Sequence, residues 1–309
     1  MLFFVHRGPI PGYLVAAIFQ ARHADVNHPI VLLTDQEASA IPGPVVRNVT
    51  VASRRDFSDG AIACDTAYRG RNAKDYDREI MNFQRWFYTL EYCQREGISG
   101  PIAQLDSDSF LFLSPSVVSS SVKAPHTLCD RVGPQFSFFQ SPHYLQEFCE
   151  FILSKLGSPQ GFQELSDYVE NFSGPGLPYP SDMACLGLFA STHPTEDIGD
   201  PLRPDFMFCE NVGSPQGMKM GLLGKKVRLT QKGRMFVREN GTTIRAGGVH
   251  LQGGNKATWP FHVWPQVHVA MIRETPGIYF SSLGPAFKKV ATVISLKAAA
   301  GLRRALSKR

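Results

Sequence analysis

Pro101-Ile102-Ala103-Gln104-Leu105-Asp106-Ser107-Asp108-Ser109-Phe110-Leu111-Phe112-Leu113 carries two carboxylates, one residue apart, inside an otherwise apolar run. The first five residues read as a buried strand that the acidic pair closes. Asp is depleted in strands and costly to bury unpaired, so the pair needs a partner. A hard divalent cation bound to a phosphate suits it. The alternative is a turn in which both side chains bond local backbone. Composition alone generates about 0.7 Asp-x-Asp pairs by chance in a chain like this one. A second pair does occur, Asp75-Tyr76-Asp77 between Lys74 and Arg78. It sits at a predicted helix start, where acids favour the helix dipole.

Upstream, Leu2–Val5 reads as a short buried strand, Pro11–Ala24 as a helix and Ile30–Thr34 as a second strand. A further strand is expected near Val45–Val51. Strand–helix–strand alternation predicts an α/β fold with a mixed, mostly parallel central sheet flanked by helices. Ligands of such sheets lie beyond the carboxyl ends of strands, which is where His6, Arg7, Thr34 and Asp35 fall. They are candidates for a base and ribose pocket, or for ordinary loop structure.

A long helix is predicted from Tyr76 to Gln94, with Ile80, Phe83, Phe87 and Leu90 on one face and a stop at Gly97. Arg78, Asn82, Arg85 and Thr89 form a second stripe. It reads either as a solvated face or as the basic wall of a phosphate crevice, with Arg85 the foremost candidate. Downstream, Tyr144–Leu156 reads as a helix, and Ser173–Pro180 as a rigid turn-rich loop. Ser181 is a predicted N-cap for a helix over Met183–Ala190, which leaves Asp182 as a helix-start charge or a functional acid. Lys226–Thr230 and Arg234–Arg238 read as strands, and Asn240-Gly241 as a hairpin turn into Thr242–Arg245.

The second chemical signal is His250-Leu251-Gln252-Gly253-Gly254-Asn255-Lys256. It supplies an imidazole, a glycine that lets backbone approach an anion, and a lysine to neutralise phosphate. His-x-x-Gly-x-x-Lys is expected about 0.03 times by chance at this composition. Taken alone, it also reads as a glycine-rich loop with an incidental histidine.

Together the two motifs resemble those of the GT-A nucleotide-sugar glycosyltransferases, in particular their glycogenin-like retaining branch. The resemblance spans about residues 1–265 and is specific only at the two motifs. It implies Asp106, Asp108 and His250 as ligands of Mn²⁺ (or Mg²⁺), and Gly253 and Lys256 as contacts of a UDP-sugar diphosphate, with Ser107 lying against the donor. It further implies transfer of a sugar to an acceptor hydroxyl on a carbohydrate, a lipid-linked sugar or a protein. Lys256 and Arg85 would stabilise the departing nucleotide, and Asp182 would orient a hydroxyl or act as base. Two departures stand out. Lys256-Ala257-Thr258-Trp259 replaces the branch's Lys-Pro-Trp, and Asp182-Met183 replaces its Asp-Gln. Other readings of the carboxylates are a catalytically silent nucleotide-binding scaffold and a metal-dependent phosphatase or nucleotidyltransferase.

Composition fits a folded chain, with 309 residues, 43% of them hydrophobic and 22 of them Phe. The six cysteines form no Cys-x-x-Cys, so reduced structural thiols are expected. The apolar start breaks at once into His6-Arg7-Gly8-Pro9, unlike a signal peptide, and a cytoplasmic place is expected. The formal charge of +5 is concentrated at the end of the chain. Lys288, Lys289, Lys297, Arg303, Arg304, Lys308 and Arg309 occur after Thr275 with no acid among them. The rest is close to neutral, which gives no electrostatic footprint for nucleic acid. The expected division is therefore a catalytic domain over 1–280 and a basic amphipathic tail over 281–309. In that tail Phe287, Val290, Ala291, Ile294, Ala298, Leu302 and Ala305 share a helical face. Residues 285–309 suit a peripheral helix on an anionic membrane, an ordinary packed helix, or a disordered tail.

Overall fold

A computed structural model describes residues 1–47, 49–68, 76–172, 180–209, 211–215, 217–221, 224–230, 233–263 and 265–306. Its strands are β1 (Leu2–His6), β2 (Ile30–Thr34), β3 (Thr50–Ser53), β4 (Ile102–Leu105), β5 (Ser109–Leu111) and β6 (His126–Leu128), followed by β7 (Phe136–Phe139), β8 (Thr195–Asp197), β9 (Phe206–Cys209), β10 (Val227–Thr230), β11 (Gly233–Val237) and β12 (Thr243–His250). The chain forms two compact units. The first comprises Met1–Pro9, Asn27–Ser107 and Ser114–Asp200, and the second Ile10–Val26, Asp108–Leu113 and Pro201–Arg309.

The first unit holds a seven-stranded sheet in the order β3-β2-β1-β4-β7-β6-β8. β3, β2, β1 and β4 run parallel, β7 is antiparallel to both β4 and β6, and β8 is parallel to β6. This is the expected α/β architecture, with a mostly parallel sheet. The run Ile30-Val31-Leu32-Leu33-Thr34 is buried throughout, as a strand covered on both faces must be. Phe3, Val31, Leu33 and Ile102 pack with Phe83, Trp86 and Phe87 of helix Tyr76–Arg95 and with Leu145, Phe148 and Ile152 of helix Pro142–Gly157.

The long helix extends one residue past its predicted end and closes on Gly97 at φ +64°. Ile98 N–H reaches Cys93 O at 2.8 Å and Gly97 N–H reaches Gln94 O at 3.3 Å, a Schellman cap that only a residue tolerant of positive φ completes. One expectation is corrected. Over Val45–Val51 the chain first forms a short helix, Gly43–Val46, which Pro42 and Pro44 favour by presetting the first turn. The strand there is β3, shifted to Thr50–Ser53. A helix over Pro159–Asn171, absent from the sequence reading, starts where Ser158 Oγ accepts from Gly161 N–H at 3.0 Å. The six cysteines are free and buried, as expected.

His126 on β6 is fully buried, with its ring stacked on Phe139 at 4.4 Å and neither ring nitrogen hydrogen-bonded. Burial, with a smaller contribution from His193, lowers its pKa to about 3. The unfolded chain binds this proton below about pH 6.5, whereas the folded chain refuses it until about pH 3. The contribution of this histidine to stability is therefore intact above pH 6.5 and falls below it, by up to about 1.4 kcal/mol per pH unit. His126→Phe is expected to lose about 2–3 kcal/mol less than the parent between pH 6.5 and 4.5 in urea titrations. Parallel acid limbs would contradict this.

The second unit holds a sheet in the order β10-β11-β12-β5, with β9 added parallel to β12. β10, β11 and β12 pair antiparallel, the last two through the predicted hairpin turn at Asn240-Gly241, where Gly241 adopts φ +88°. Helix Gly12–Ala24 is apolar on nearly all sides and buries Leu14 through Ala21. Its one buried amide, Gln20, donates from Nε2 to Leu111 O at 3.1 Å and so ties the helix to β5. The terminal helix runs Pro276–Leu306. No helix among the described residues is long and apolar enough to cross a membrane.

Candidate functional site

The acidic tripeptide is the point where the chain passes from β4 to β5, strands of different sheets. Asp106 follows β4 and belongs to the first unit, while Asp108 precedes β5 and belongs to the second.

In the second unit, antiparallel pairing of β5 with β12 sets Ser109 opposite His250. That register brings a histidine from far along the chain to Asp108. His250 Nε2 lies 3.3 Å from Asp108 Oδ1, and Lys256 Nζ lies 3.0 Å from Oδ2. Leu251 N–H donates to Asp108 O at 3.1 Å and holds the strand end in place. Burial pushes the Asp108 carboxyl up, but the His250 and Lys256 charges more than offset it and leave it at about 2. Lys256 also sits over the Tyr13 ring at 5.2 Å. Gly253, predicted to matter for close approach, adopts φ +56° with open space where a side chain would point. Conformation rather than crowding selects glycine there. Asn211 donates from Nδ2 to Gln252 Oε1 at 2.7 Å and braces the loop from outside the motif.

In the first unit, Arg85 bridges two acids. Its Nη1 pairs with Asp106 Oδ1, and its Nη2 donates to Asp182 Oδ2 at 2.6 Å. The predicted stripe on this helix thus divides, with Arg78 exposed but Arg85 and Thr89 buried. Asp182 opens helix Asp182–Ala190, whose N-cap Ser181 accepts from Ala184 N–H as predicted. A solvated helix-start charge does not describe it, since Asp182 is only 2% exposed. Burial raises its pKa, Arg85 pulls it down and Asp106 pushes it up, for a net value of about 6. Arg85 itself moves up, because two carboxylates outweigh its own burial. One guanidinium gains from two acids, whereas Asp182 has a single cation to set against burial and a like charge.

The strand-end residues meet elsewhere in that unit. Gly8 N–H donates to Asp35 Oδ1 at 2.9 Å, and Arg54 Nη2 lies 3.7 Å from Asp35 Oδ2. Arg54 Nη1 also donates to Tyr88 Oη at 2.7 Å. Hydrogen bonds from Gly8 and Arg54's charge outweigh burial and depress the Asp35 pKa. Thr34 is buried, and its Oγ1 accepts weakly from Gln36 N–H at 3.3 Å. His6 Nε2 bonds Pro9 O at 3.1 Å, and Arg7 pairs with exposed Asp77 at 4.0 Å. Ser107 is half-buried. Arg54 and Tyr88 escaped the sequence reading. With β3 placed at Thr50–Ser53, Arg54 is the first residue past a parallel strand, the position that singled out His6 and Asp35. Asp77 behaves as a helix-start acid, while Asp75 and the loop residues 173–179 lie outside the described residues.

No protein-family model matches the chain, and no curated protein matches it by sequence. Solved structures of similar chain path include mouse xyloside xylosyltransferase 1 in its apo form, at 10% identity and a TM-score of 0.43, covering 63% of this chain and 83% of that one. The galactosyltransferase LgtC in complex with donor and acceptor sugar analogs aligns over 91% of this chain and 95% of its own, at 10% identity and a TM-score of 0.42. The glycosyltransferase GlyE of Streptococcus pneumoniae TIGR4, in its apo form, aligns over 63% of this chain and 44% of its own, at 15% identity and a TM-score of 0.31.

Proposed function

We propose that this protein is a divalent-metal-dependent glycosyltransferase acting on a nucleotide-diphosphate sugar, with UDP-sugars the first donors to test. The observation that carries the reading is Asp108 buried between His250 and Lys256, because it joins the Asp-x-Asp and His-x-x-Gly-x-x-Lys motifs. Carboxylate oxygen with imidazole nitrogen is a donor set suited to Mn²⁺ and, less well, to Mg²⁺. Asp108 and His250 would hold the ion, with Asp106 supplied by the same tripeptide. When bound, the ion supplies charge neutralisation for a departing nucleoside diphosphate.

The chain's own groups do the rest. Lys256, held by Asp108 and Tyr13, adds a second positive charge for the leaving phosphates, and Gly253 offers backbone free of a side chain. Arg85 and Asp182, hydrogen-bonded to each other, would orient sugar or acceptor hydroxyls. Asp35, Gly8 and Arg54 offer a polar cradle at strand ends for the nucleoside. A phosphatase would need the first acid as an available nucleophile, whereas Asp106 is engaged by Arg85.

A panel of UDP- and GDP-sugars incubated with the protein and Mn²⁺ tests the reading. Slow hydrolysis of one UDP-sugar is expected, removed by chelation and restored by Mn²⁺, with the product keeping the donor's anomeric configuration. Absence of cation-stimulated turnover across the panel would sink it. An inverted product would retain the class but reject the retaining branch.

A further inference from the structure

Among the described residues, ten large apolar side chains are exposed, and five of them fall between Phe261 and Phe287, all in the second unit. An interface needs exposed apolar groups side by side rather than scattered, and Phe261 and Phe287 are in ring contact. Val269 and Ile272 lie on helix Pro265–Glu274, away from its buried Val267 and Met271. Phe280 and Phe287 lie on helix Pro276–Leu306, at 57% and 59% exposure. Seven residues apart, they share one line along that helix. Buried Tyr279 and Ala286 share another line, about 100° away. The helix therefore has one face for its own unit and a second apolar face left over. Phe287 meets the ring of Phe261 edge-on at 6.0 Å, and Phe280 meets Tyr279 at 5.6 Å, so the rings form an ordered patch.

Charge beside the patch bears on what it would meet. Lys288 is exposed immediately beside Phe287, and residues 275–309 contain seven Lys or Arg and no acid. Exposed aromatic side chains beside Lys288, in a segment whose sequence is basic and without acids, suit the boundary between anionic headgroups and acyl chains. We propose that Phe261, Phe280 and Phe287, with the basic helix Pro276–Leu306, seat this protein on an anionic lipid surface. The seat begins well before the 285–309 tail that the sequence pattern marks, and it uses aromatic rings of the folded unit. Of the tail stripe, Ile294, Ala298, Leu302 and Ala305 have side chains outside the described ones. The inference uses no residue of the candidate catalytic site, so it stands or falls apart from the proposed reaction.

Vesicle flotation of the full chain tests it. One vesicle set is pure phosphatidylcholine, and the other contains about a third phosphatidylglycerol. Recovery is expected only with the anionic set, weakened in about 0.5 M salt as headgroup attraction is screened. The double variant Phe280→Ser/Phe287→Ser, both positions being exposed, is expected to melt like the parent yet partition about tenfold less. Equal recovery of variant and parent would overturn the aromatic seat, and equal recovery on both vesicle sets would overturn the anionic surface. A soluble dimer that the double variant splits, with no vesicle binding, would assign the patch to a second copy instead.

Discussion

Asp108→Asn is expected to lower metal-stimulated donor turnover by about 10³-fold, equivalent to about 4 kcal/mol of lost leaving-group stabilisation. Asn preserves the shape of the side chain and removes the negative oxygen that a cation requires. Two further readouts separate this from general damage. In the parent, Mn²⁺ at about one hundred times its dissociation constant should add about 2.7 kcal/mol to unfolding stability, and the variant should lose that increment. In the cation-free protein, His250 and Lys256 hold the Asp108 carboxyl at about 2 against an ordinary 3.8. Its folded-state pKa is depressed, so the associated stability is present above pH 3.8 and is lost as pH falls toward 2. It amounts to about 2 kcal/mol, which the variant forfeits at neutral pH. A variant that kept cation-stimulated turnover would remove Asp108 from the site.

Residue types at this site were legible in sequence, and distances were not. Asp106-Ser107-Asp108 stood out because carboxylates closing an apolar strand have few structural uses, and His250 and Lys256 because their spacing is rare. That they meet at Asp108 depends on the antiparallel register of β12 with β5, a pairing between segments remote in the chain. No local periodicity encodes such a register. Helical periodicity likewise put Arg78 and Arg85 on one stripe, yet only Arg85 is buried, because burial depends on what packs against each turn. The fully buried strands were readable as continuous apolar runs. β3 was displaced because Val45 and Val46 look strand-like, while Pro42 and Pro44 impose a helical turn first. That displacement of a few residues concealed Arg54. Helix Pro159–Asn171 was missed because it follows the preceding helix after a single residue, Ser158, and carries glycine, serine and aspartate in its turns. Those types weaken helix propensity, and here packing and an N-cap outweigh them.

Arg85→Met is expected to cost about 3–5 kcal/mol of stability near pH 8, because buried Asp182 loses its cation and must either stay charged unpaired or hold a proton that the unfolded chain releases. The long apolar replacement keeps most of the volume, so loss of charge dominates over loss of packing. The pH dependence identifies the cause. Burial already lifts Asp182 to about 6 with Arg85 in place, and removing Arg85 lifts it further. The folded variant then keeps a proton that the unfolded chain releases near pH 3.8, so stability falls as pH rises from there to the new folded value. The deficit against the parent should therefore be smaller at pH 5 than at pH 8. Adding Asp182→Asn removes the buried charge, and the double variant should recover about 2 kcal/mol or more of the loss at pH 8. Equilibrium urea unfolding of the four proteins in this cycle gives the coupling directly. A pH-independent deficit with no recovery would mean that Arg85 acts through its packing on Trp86, over whose ring it lies at 4.8 Å, rather than through the acids it bridges.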